Sequence, residues 1–192
     1  MTAEKTAGTP PAPPGRRFDP GRRDRIIDVT LDVIAAHGVA GASHRRIAEA
    51  ADVPLGSMTY HFAGMGELLV LAFTRLADRV ADRFDTRLAA AGDPGEAGEA
   101  VVALITEDLS GSPRDVVLTC ELYTLAARDP ALREVTRTWM ARSRRALERH
   151  FDVPTARYLD ALIEGLALHR ALDPDPMDAD DVRAAVRRII SA

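Results

Sequence analysis

The chain has 192 residues, enough for one compact domain or for a small domain joined to a larger one. Aromatic residues make up only 5% of it, and a core built mainly of aliphatic side chains and Ala favours helices over strands. Its single cysteine, Cys120, excludes an intrachain disulfide and a CxxC metal site, and no apolar run approaches the roughly 18 residues that span a bilayer. We therefore expect a cytoplasmic protein that has no contact with membranes.

The net charge of −4 disfavours non-specific coating of nucleic acid. The charge is unevenly distributed, because residues 1–66 carry a balance of +1 and the remainder carries −5. Binding in a DNA groove needs only a local basic surface. The N-terminal third is therefore the better place to look for a DNA-binding surface.

The first segment, residues 1–19, is rich in Pro, Gly, Ala and Thr and has no apolar periodicity, which predicts a disordered arm. From Pro20 the pattern becomes that of an amphipathic helix, with apolar residues recurring every three or four positions up to Ile34. Gly38 is expected to stop this first helix.

Two short helices are predicted next. Ser43 is a suitable N-cap for the second helix, because its hydroxyl can accept a hydrogen bond from a backbone N–H of the first turn. Pro54 suits the start of a short third helix that ends at about His61. Gly64 then breaks the chain before a long helix that ends near Ala91.

Beyond this point, segments of helical period alternate with short breaks. Most breaks place Asp or Ser just before a proline, a combination that can cap a new helix. They are Gly92-Asp93-Pro94, Gly111-Ser112-Pro113, Asp129-Pro130, Asp152-Val153-Pro154 and Asp173-Pro174-Asp175-Pro176. No pair of strands with a hairpin turn can be recognised. The predicted fold class is all-α, with about nine helices.

Residues 43–62 have the layout of two short helices that meet at a turn. Ala48 and Ala51 are small enough to let helices cross, and Asp52 tolerates the left-handed conformation that such a turn needs. The helix after the turn offers hydroxyl and imidazole groups for phosphates and base edges. The candidate DNA contacts on it are Gly56, where the backbone can approach DNA closely, and Ser57, Thr59, Tyr60 and His61.

The run from Arg22 to Phe73 resembles the DNA-binding domain of TetR (tetracycline-repressor-like) transcriptional regulators. The features that match are His37-Gly38, Ile47-Ala48-Glu49-Ala50-Ala51, Val53, Gly56-Ser57-Met58-Thr59-Tyr60-His61-Phe62 and Glu67-Leu68-Leu69. The run from Arg22 to Phe73 is about a quarter of the chain. The rest of the chain agrees with the family in length and helical texture.

This resemblance implies a homodimer that places one recognition helix per subunit in successive major grooves of a near-palindromic operator. It also implies a repressor whose helical C-terminal domain binds a small effector and thereby releases the DNA. By position, Ser43 and Arg45 of the second helix would contact DNA together with the third helix. The expected division is an arm (residues 1–19), a helix-turn-helix domain (20–64) and an effector-binding and dimerisation domain (65–192).

Two departures from the family pattern keep an alternative open. Leu55 and Met65 stand where similar proteins commonly carry lysines that hold phosphates. The loss of two cations weakens the attraction to DNA. The alternative is a helical small-molecule-binding protein that has lost DNA recognition.

Two sets of candidates lie in the C-terminal part. The effector-binding candidates are Cys120, Tyr123, Trp139 and Met140, and the dimer-interface candidates are Leu159, Leu162, Ile163 and Leu166. Apolar residues at helical spacing can equally form the core of a single chain. Glu121 is a carboxylate in an apolar stretch, and we expect it to face solvent rather than a ligand.

No pattern points to catalysis. The chain has no nucleophile elbow, no glycine-rich phosphate loop and no HExxH spacing. The sequence therefore predicts a protein that is not an enzyme and uses no cofactor or metal. Its predicted partners are operator DNA, a small effector and a second copy of itself.

Overall fold

The structure is a computed structural model that describes residues 19–109 and 112–191. Nine α-helices and no strand occur in these ranges, which confirms the all-α prediction. The helices are α1 (Arg22–Gly41), α2 (His44–Ala50), α3 (Gly56–His61), α4 (Met65–Ala89), α5 (Pro94–Ala103), α6 (Pro113–Ala126), α7 (Pro130–Leu147), α8 (Val153–Leu172) and α9 (Ala179–Ile190). A π-helical segment, Leu104–Leu109, continues α5. Residues 1–18 of the predicted arm lie outside the described residues.

Capping side chains set the start of most later helices. Asp93, Ser112, Asp129 and Asp152 each accept a hydrogen bond from a backbone N–H in the first turn of the next helix, at 2.8 to 3.2 Å. A proline occupies the first turn of each of these helices, where its missing N–H loses nothing. The helix starts predicted at these breaks are confirmed.

Within the described ranges, no helix has the length and apolar character needed to cross a membrane.

Helix α1 is broken at Gly38, where the sequence predicts its end. The backbone of Gly38 has φ +67° and ψ 169°, which is outside the helical region, and a short helical piece continues to Gly41. Glycine adopts positive φ without the clash that a Cβ causes. The break turns the chain toward α2 and thereby determines how the next two helices leave α1.

The apolar residues form two cores. The first joins α1, α2, α3 and the first half of α4 to α6 and the N-terminal part of α7, and it includes the fully buried Ile34, Met58, Leu118 and Leu122. The second joins the end of α4 to α5, the π-helical segment, the end of α7, α8 and α9. Helix α6 therefore shares its core with the helix-turn-helix, although it comes about fifty residues after α3 in the chain.

Helix α4 is tied to its neighbours by arginines at four-residue intervals, which lie on one face. Ion pairs join Arg75 to Asp28 of α1 at 3.1 Å, Arg83 to Asp115 of α6 at 3.0 Å and Arg87 to Glu107 of the π-helical segment at 2.7 Å. Aspartates elsewhere on α4 pair with Arg142 of α7. Charged contacts thus connect α4 to helices of the first core and to the π-helical segment of the second core.

Candidate nucleic-acid interface and ligand cavity

The turn between α2 and α3 has the geometry of a helix-turn-helix. Asp52 adopts φ +51°, the left-handed conformation expected for it. The amide of Val53 donates to the carbonyl of Ala48 at 3.0 Å, and the amide of Ser57 donates to the carbonyl of Pro54 at 2.8 Å. These bonds close the turn and begin α3 directly after it.

Helix α3 buries Met58 and presents the opposite face to solvent. Thr59 is exposed and Tyr60 is 83% exposed, the most exposed large hydrophobic residue in the described ranges. A Cβ added at Gly56 would have no other group within 4 Å, and its φ is not positive. Neither crowding nor backbone conformation therefore requires glycine at this position, which leaves open space for a partner to approach the backbone.

The other DNA-contact candidates differ in their exposure. The hydroxyl of Ser43 caps α2 by accepting from the amide of Arg46 at 3.3 Å, as expected. Arg45 is exposed on α2, and His61 is half-buried with its ring 4.9 Å from that of Tyr60. Ser57 is only 8% exposed. The expectation that its side chain points outward is not met.

The arginines near this surface are mostly held within the chain. Arg25 pairs with Asp19 at 2.8 Å, and Arg23 lies 5.4 Å from the centre of the Phe62 ring. The Arg23 contact joins α1 to the end of α3, whereas the Arg25 pair stays at the start of α1. Arg45 has no ion pair within the described ranges, so its guanidinium is available to a phosphate.

A cavity of about 350 Å³ lies between α4, α6, α7 and α8. Its walls are mainly apolar, and two aromatic rings, Tyr123 and Trp139, stack with centroids 6.1 Å apart and planes 26° from parallel. The lining residues are Val80, Asp115, Val116, Thr119, Cys120, Tyr123, Trp139, Ala161, Glu164, Gly165, Ala167 and Leu168. This volume is within the range of small-molecule sites in proteins.

Two carboxylates face this cavity, and their surroundings differ. Asp115 is paired with Arg83 and Arg114. Glu164 accepts a hydrogen bond from the Tyr123 hydroxyl, and no cation lies within ion-pair distance of it in the described part of the chain. Burial raises the pKa of Glu164 above its ordinary value, although the bond from Tyr123 lowers it. Burial and the neighbouring Glu164 charge likewise raise the pKa of Tyr123.

Three of the four effector-binding candidates line this cavity: Cys120, Tyr123 and Trp139. Met140 does not line it, because adjacent residues on a helix point about 100° apart and Trp139 takes the inward position. Sequence reasoning missed Glu164. The signal was available, since Glu164 is also a carboxylate within an apolar helical stretch. Glu121, expected in solvent, is half-buried and accepts from the amide of Val39 at 3.2 Å.

The dimer-interface candidates are divided by the structure. Leu159 and Ile163 are fully buried in the second core of their own chain, so they have no surface to offer a partner. Leu162 and Leu166 are half-buried at its edge. Helix α8 exposes other apolar residues instead, with Tyr158 63% and Leu172 70% exposed. The sequence could not separate these sets because α8 is apolar on more than one face.

This arrangement, a helix-turn-helix on a larger helical part that contains an apolar cavity, is that of a DNA-binding regulator with a ligand-binding domain. Residues 26–72 match the family described as bacterial regulatory proteins, tetR family, and residues 92–192 match the tetracyclin repressor-like C-terminal domain. The chain belongs to the TetR family of transcriptional regulators, whose members bind DNA through the N-terminal domain and ligands through the C-terminal domain.

Several solved structures and curated proteins are similar. SCO7518 of Streptomyces coelicolor A3(2), described as a candidate transcriptional regulator, is 57% identical, with a TM-score of 0.85 over 90% of this chain and 100% of that one. The multidrug binding protein EbrR complexed with ethidium is 38% identical, with a TM-score of 0.74 over 88% and 98% of the two chains. Other EbrR structures contain proflavin and malachite green. The regulator BetI 1 of Chromohalobacter salexigens is 31% identical over 86% of this chain and 87% of that protein.

Proposed function

We propose that this TetR-family regulator is a repressor that binds a near-palindromic operator as a dimer and leaves it when a flat aromatic cation fills the cavity. Residues 20–64 would form the DNA-binding domain, and residues 65–192 would bind the effector and the second subunit. Ligand binding would favour a conformer whose two recognition helices do not match successive major grooves.

The observation that carries the DNA-binding part is the exposed face of α3. Tyr60, 83% exposed, lies beside the exposed Thr59 and the unobstructed backbone of Gly56. Tyrosine combines an apolar ring with a hydroxyl and is enriched at interfaces for that reason. Arg45 adds a guanidinium that is free to reach a phosphate. The proposed contacts are Ser43, Arg45, Gly56, Thr59, Tyr60 and His61.

The ligand class is inferred from the cavity walls. Stacked Tyr123 and Trp139 offer a flat aromatic surface, and Glu164 offers a carboxylate without an ion-pair partner among the described residues. A planar cation could stack on the rings and pair with that carboxylate in a poorly hydrated site. The dyes found in EbrR, a protein about one third identical, are aromatic molecules, which supports this choice.

The dimer would use the exposed face of α8 together with α9. Leu162 and Leu166 remain candidates, and Tyr158, Leu168 and Leu172 extend the apolar surface around them. Exposed apolar patches of this kind mark interaction sites in soluble proteins. Ala161 and Gly165 are exposed on α8 as well, and small residues let two helices approach closely. Because both also line the cavity, as Leu168 does, the proposed interface borders the ligand site.

A mobility shift with the DNA upstream of the protein's own reading frame tests the DNA-binding part. We expect Tyr60→Ala and Gly56→Ala each to weaken binding at least tenfold while the melting temperature stays constant or rises. Gly92→Ala, at an exposed turn without positive φ, is the matched control and should leave binding unchanged. If both α3 variants bind as tightly as the wild type, α3 is not the recognition helix. If the wild type does not bind at all, the alternative of a ligand-binding protein without DNA recognition gains support.

A further inference from the structure

Helix α6 has two functional faces. The face toward the cavity carries Asp115, Val116, Thr119, Cys120 and Tyr123, which recur at the spacing of one helical side. Another face carries Leu118 and Leu122, which are fully buried in the core shared with the helix-turn-helix. A displacement of α6 by a bound ligand is therefore a displacement of a wall of the DNA-binding domain.

One side chain of α6 reaches the end of α1 directly. The carboxylate of Glu121 accepts a hydrogen bond from the backbone amide of Val39 at 3.2 Å. Val39 comes directly after Gly38, the residue at which α1 breaks, and the carboxylate also lies against Gly38, 2.9 Å from where a Cβ would stand. Breaking α1 interrupts its regular hydrogen bonding, and Glu121 supplies an acceptor at that point.

This bond lies just before the helix-turn-helix in the chain. Ser43, which caps α2, comes four residues after Val39, and α3 follows α2 after a turn of five residues. The Gly38–Val39 turn therefore determines the direction in which the helix-turn-helix leaves α1. Besides the shared apolar core, α6 contacts α1 through an exposed ion pair, Arg114 to Asp32 at 2.6 Å, and exposed ion pairs stabilise little.

We propose that Glu121 couples the cavity to the recognition helix, by fixing the Gly38–Val39 turn to α6. Glu121 is a positioning residue, since it touches neither the cavity nor the DNA-facing surface. This inference rests on the proposed function. Because coupling between two sites is reciprocal, DNA bound at α3 changes the ligand affinity of the cavity by the same factor that the ligand changes DNA affinity. We expect this effect to include a change in the pose of the cavity face of α6.

Cys120 reports that pose without any added ligand. It is the single cysteine of the chain, it is exposed, and it lines the cavity one residue before Glu121. We expect the rate at which Cys120 reacts with Ellman's reagent to change at least threefold when the promoter fragment is bound. In Glu121→Ala the rate should be the same with and without DNA, and Glu121→Gln, which keeps an acceptor oxygen, should restore most of the change. Glu148→Ala, which removes an exposed carboxylate at the end of α7, should behave as the wild type.

The possible results distinguish a failure of the proposed function from a failure of the coupling through Glu121. A wild-type protein that does not shift the fragment contradicts the proposed function. A wild-type protein that binds the fragment but reacts at an unchanged rate contradicts the coupling alone, and so does Glu121→Ala with an undiminished DNA effect. If Glu121→Ala does not fold, the coupling is tested by hydrogen exchange of the Val39 amide in the wild-type protein, with and without DNA. Its protection should change at least threefold on DNA binding, and an unchanged rate overturns the proposal.

Discussion

Two residues of the described chain that adopt left-handed backbone conformations lie in the segment that carries the helix-turn-helix. Asp52 forms the turn between α2 and α3, and Gly38 breaks α1. The sequence predicts both, because the preferences of glycine and aspartate for this conformation are local. The same reasoning could not find Glu121 at Gly38, since the two residues are far apart in sequence and only the tertiary packing of α6 on α1 brings them together.

Gly38→Ala tests how much the turn depends on glycine. We expect the free energy of unfolding to fall by about 1–2 kcal/mol, because a Cβ is disfavoured at φ +67° and would also meet the Glu121 carboxylate. Chemical denaturation measures this change. Gly66→Ala is the control, since its Cβ meets nothing within 4 Å in the first turn of α4, and alanine there should leave stability unchanged or raise it slightly. Equal stabilities for the two variants would show that the turn does not require glycine.

Glu164 gives a prediction about pH. Burial raises its pKa in the folded state above the ordinary value of 4.5, so the unfolded chain releases this proton at lower pH than the folded chain does. The contribution of Glu164 to stability is therefore complete at pH values below 4.5 and is lost as the pH rises through its folded pKa. We expect Glu164→Gln to gain stability relative to the wild type between pH 4 and 7, measured by urea denaturation.

The same carboxylate should govern ligand binding. Only the ionised form attracts a cation, so ethidium affinity should rise over the same pH range in the wild type. In Glu164→Gln the affinity should be lower and almost independent of pH. A variant that binds ethidium as the wild type does at every pH would show that Glu164 is not the counter-ion.

At the scale of helices, the residue at which a helix begins could be predicted more readily than the other helices against which it packs. Capping residues before a proline act within one turn, so Asp93, Ser112, Asp129 and Asp152 could be read from the sequence. Which face of α8 is buried could not be read in this way. Leu159 and Ile163 entered the chain's own core because α5, α7 and α9 cover that side, and this covering depends on the whole fold.

The ion pairs between α4 and α7 provide a test at this scale. Arg142 contacts Asp78, Asp82 and Asp85, three carboxylates within two turns of α4. We expect Arg142→Leu to reduce stability by about 1 kcal/mol, because the aspartates are then left to repel one another. The loss should shrink at roughly 1 M salt, where the Debye length is about 3 Å.

Arg137→Leu is the matched control for this variant. Arg137 is strongly exposed and pairs only with Glu134 of its own helix among the described contacts. Its loss should leave the free energy of unfolding almost unchanged, because an exposed pair within one helix contributes little. If the two leucine variants unfold at the same denaturant concentration, the Arg142 cluster does not hold α4 to α7.

At the scale of the whole chain, the two cores explain how a cavity can control a distant surface. The first core extends from the helix-turn-helix into α6 and α7, and Val80, Tyr123 and Trp139 carry it to the cavity. Helix α8, which belongs to the second core, supplies the opposite wall. A ligand between these walls would contact helices of both cores, and we expect it to change the position of α8 relative to α6. The sequence could predict a ligand-binding C-terminal domain by resemblance, but not that α6 shares the core of the DNA-binding helices.

The central claim is that two copies of this chain hold one operator and that a cavity ligand removes them. Light scattering coupled to size exclusion measures it directly, using the upstream DNA fragment with and without ethidium. Glu164→Gln should stay on the DNA at the same ethidium concentration, which controls for any direct action of the dye on the DNA. For the wild type we expect a complex that exceeds the mass of the DNA by two chains of 20.8 kDa, and free DNA plus a protein dimer once ethidium reaches about a hundred times its dissociation constant. A complex with a single chain, or one whose mass ethidium leaves unchanged, would contradict this account.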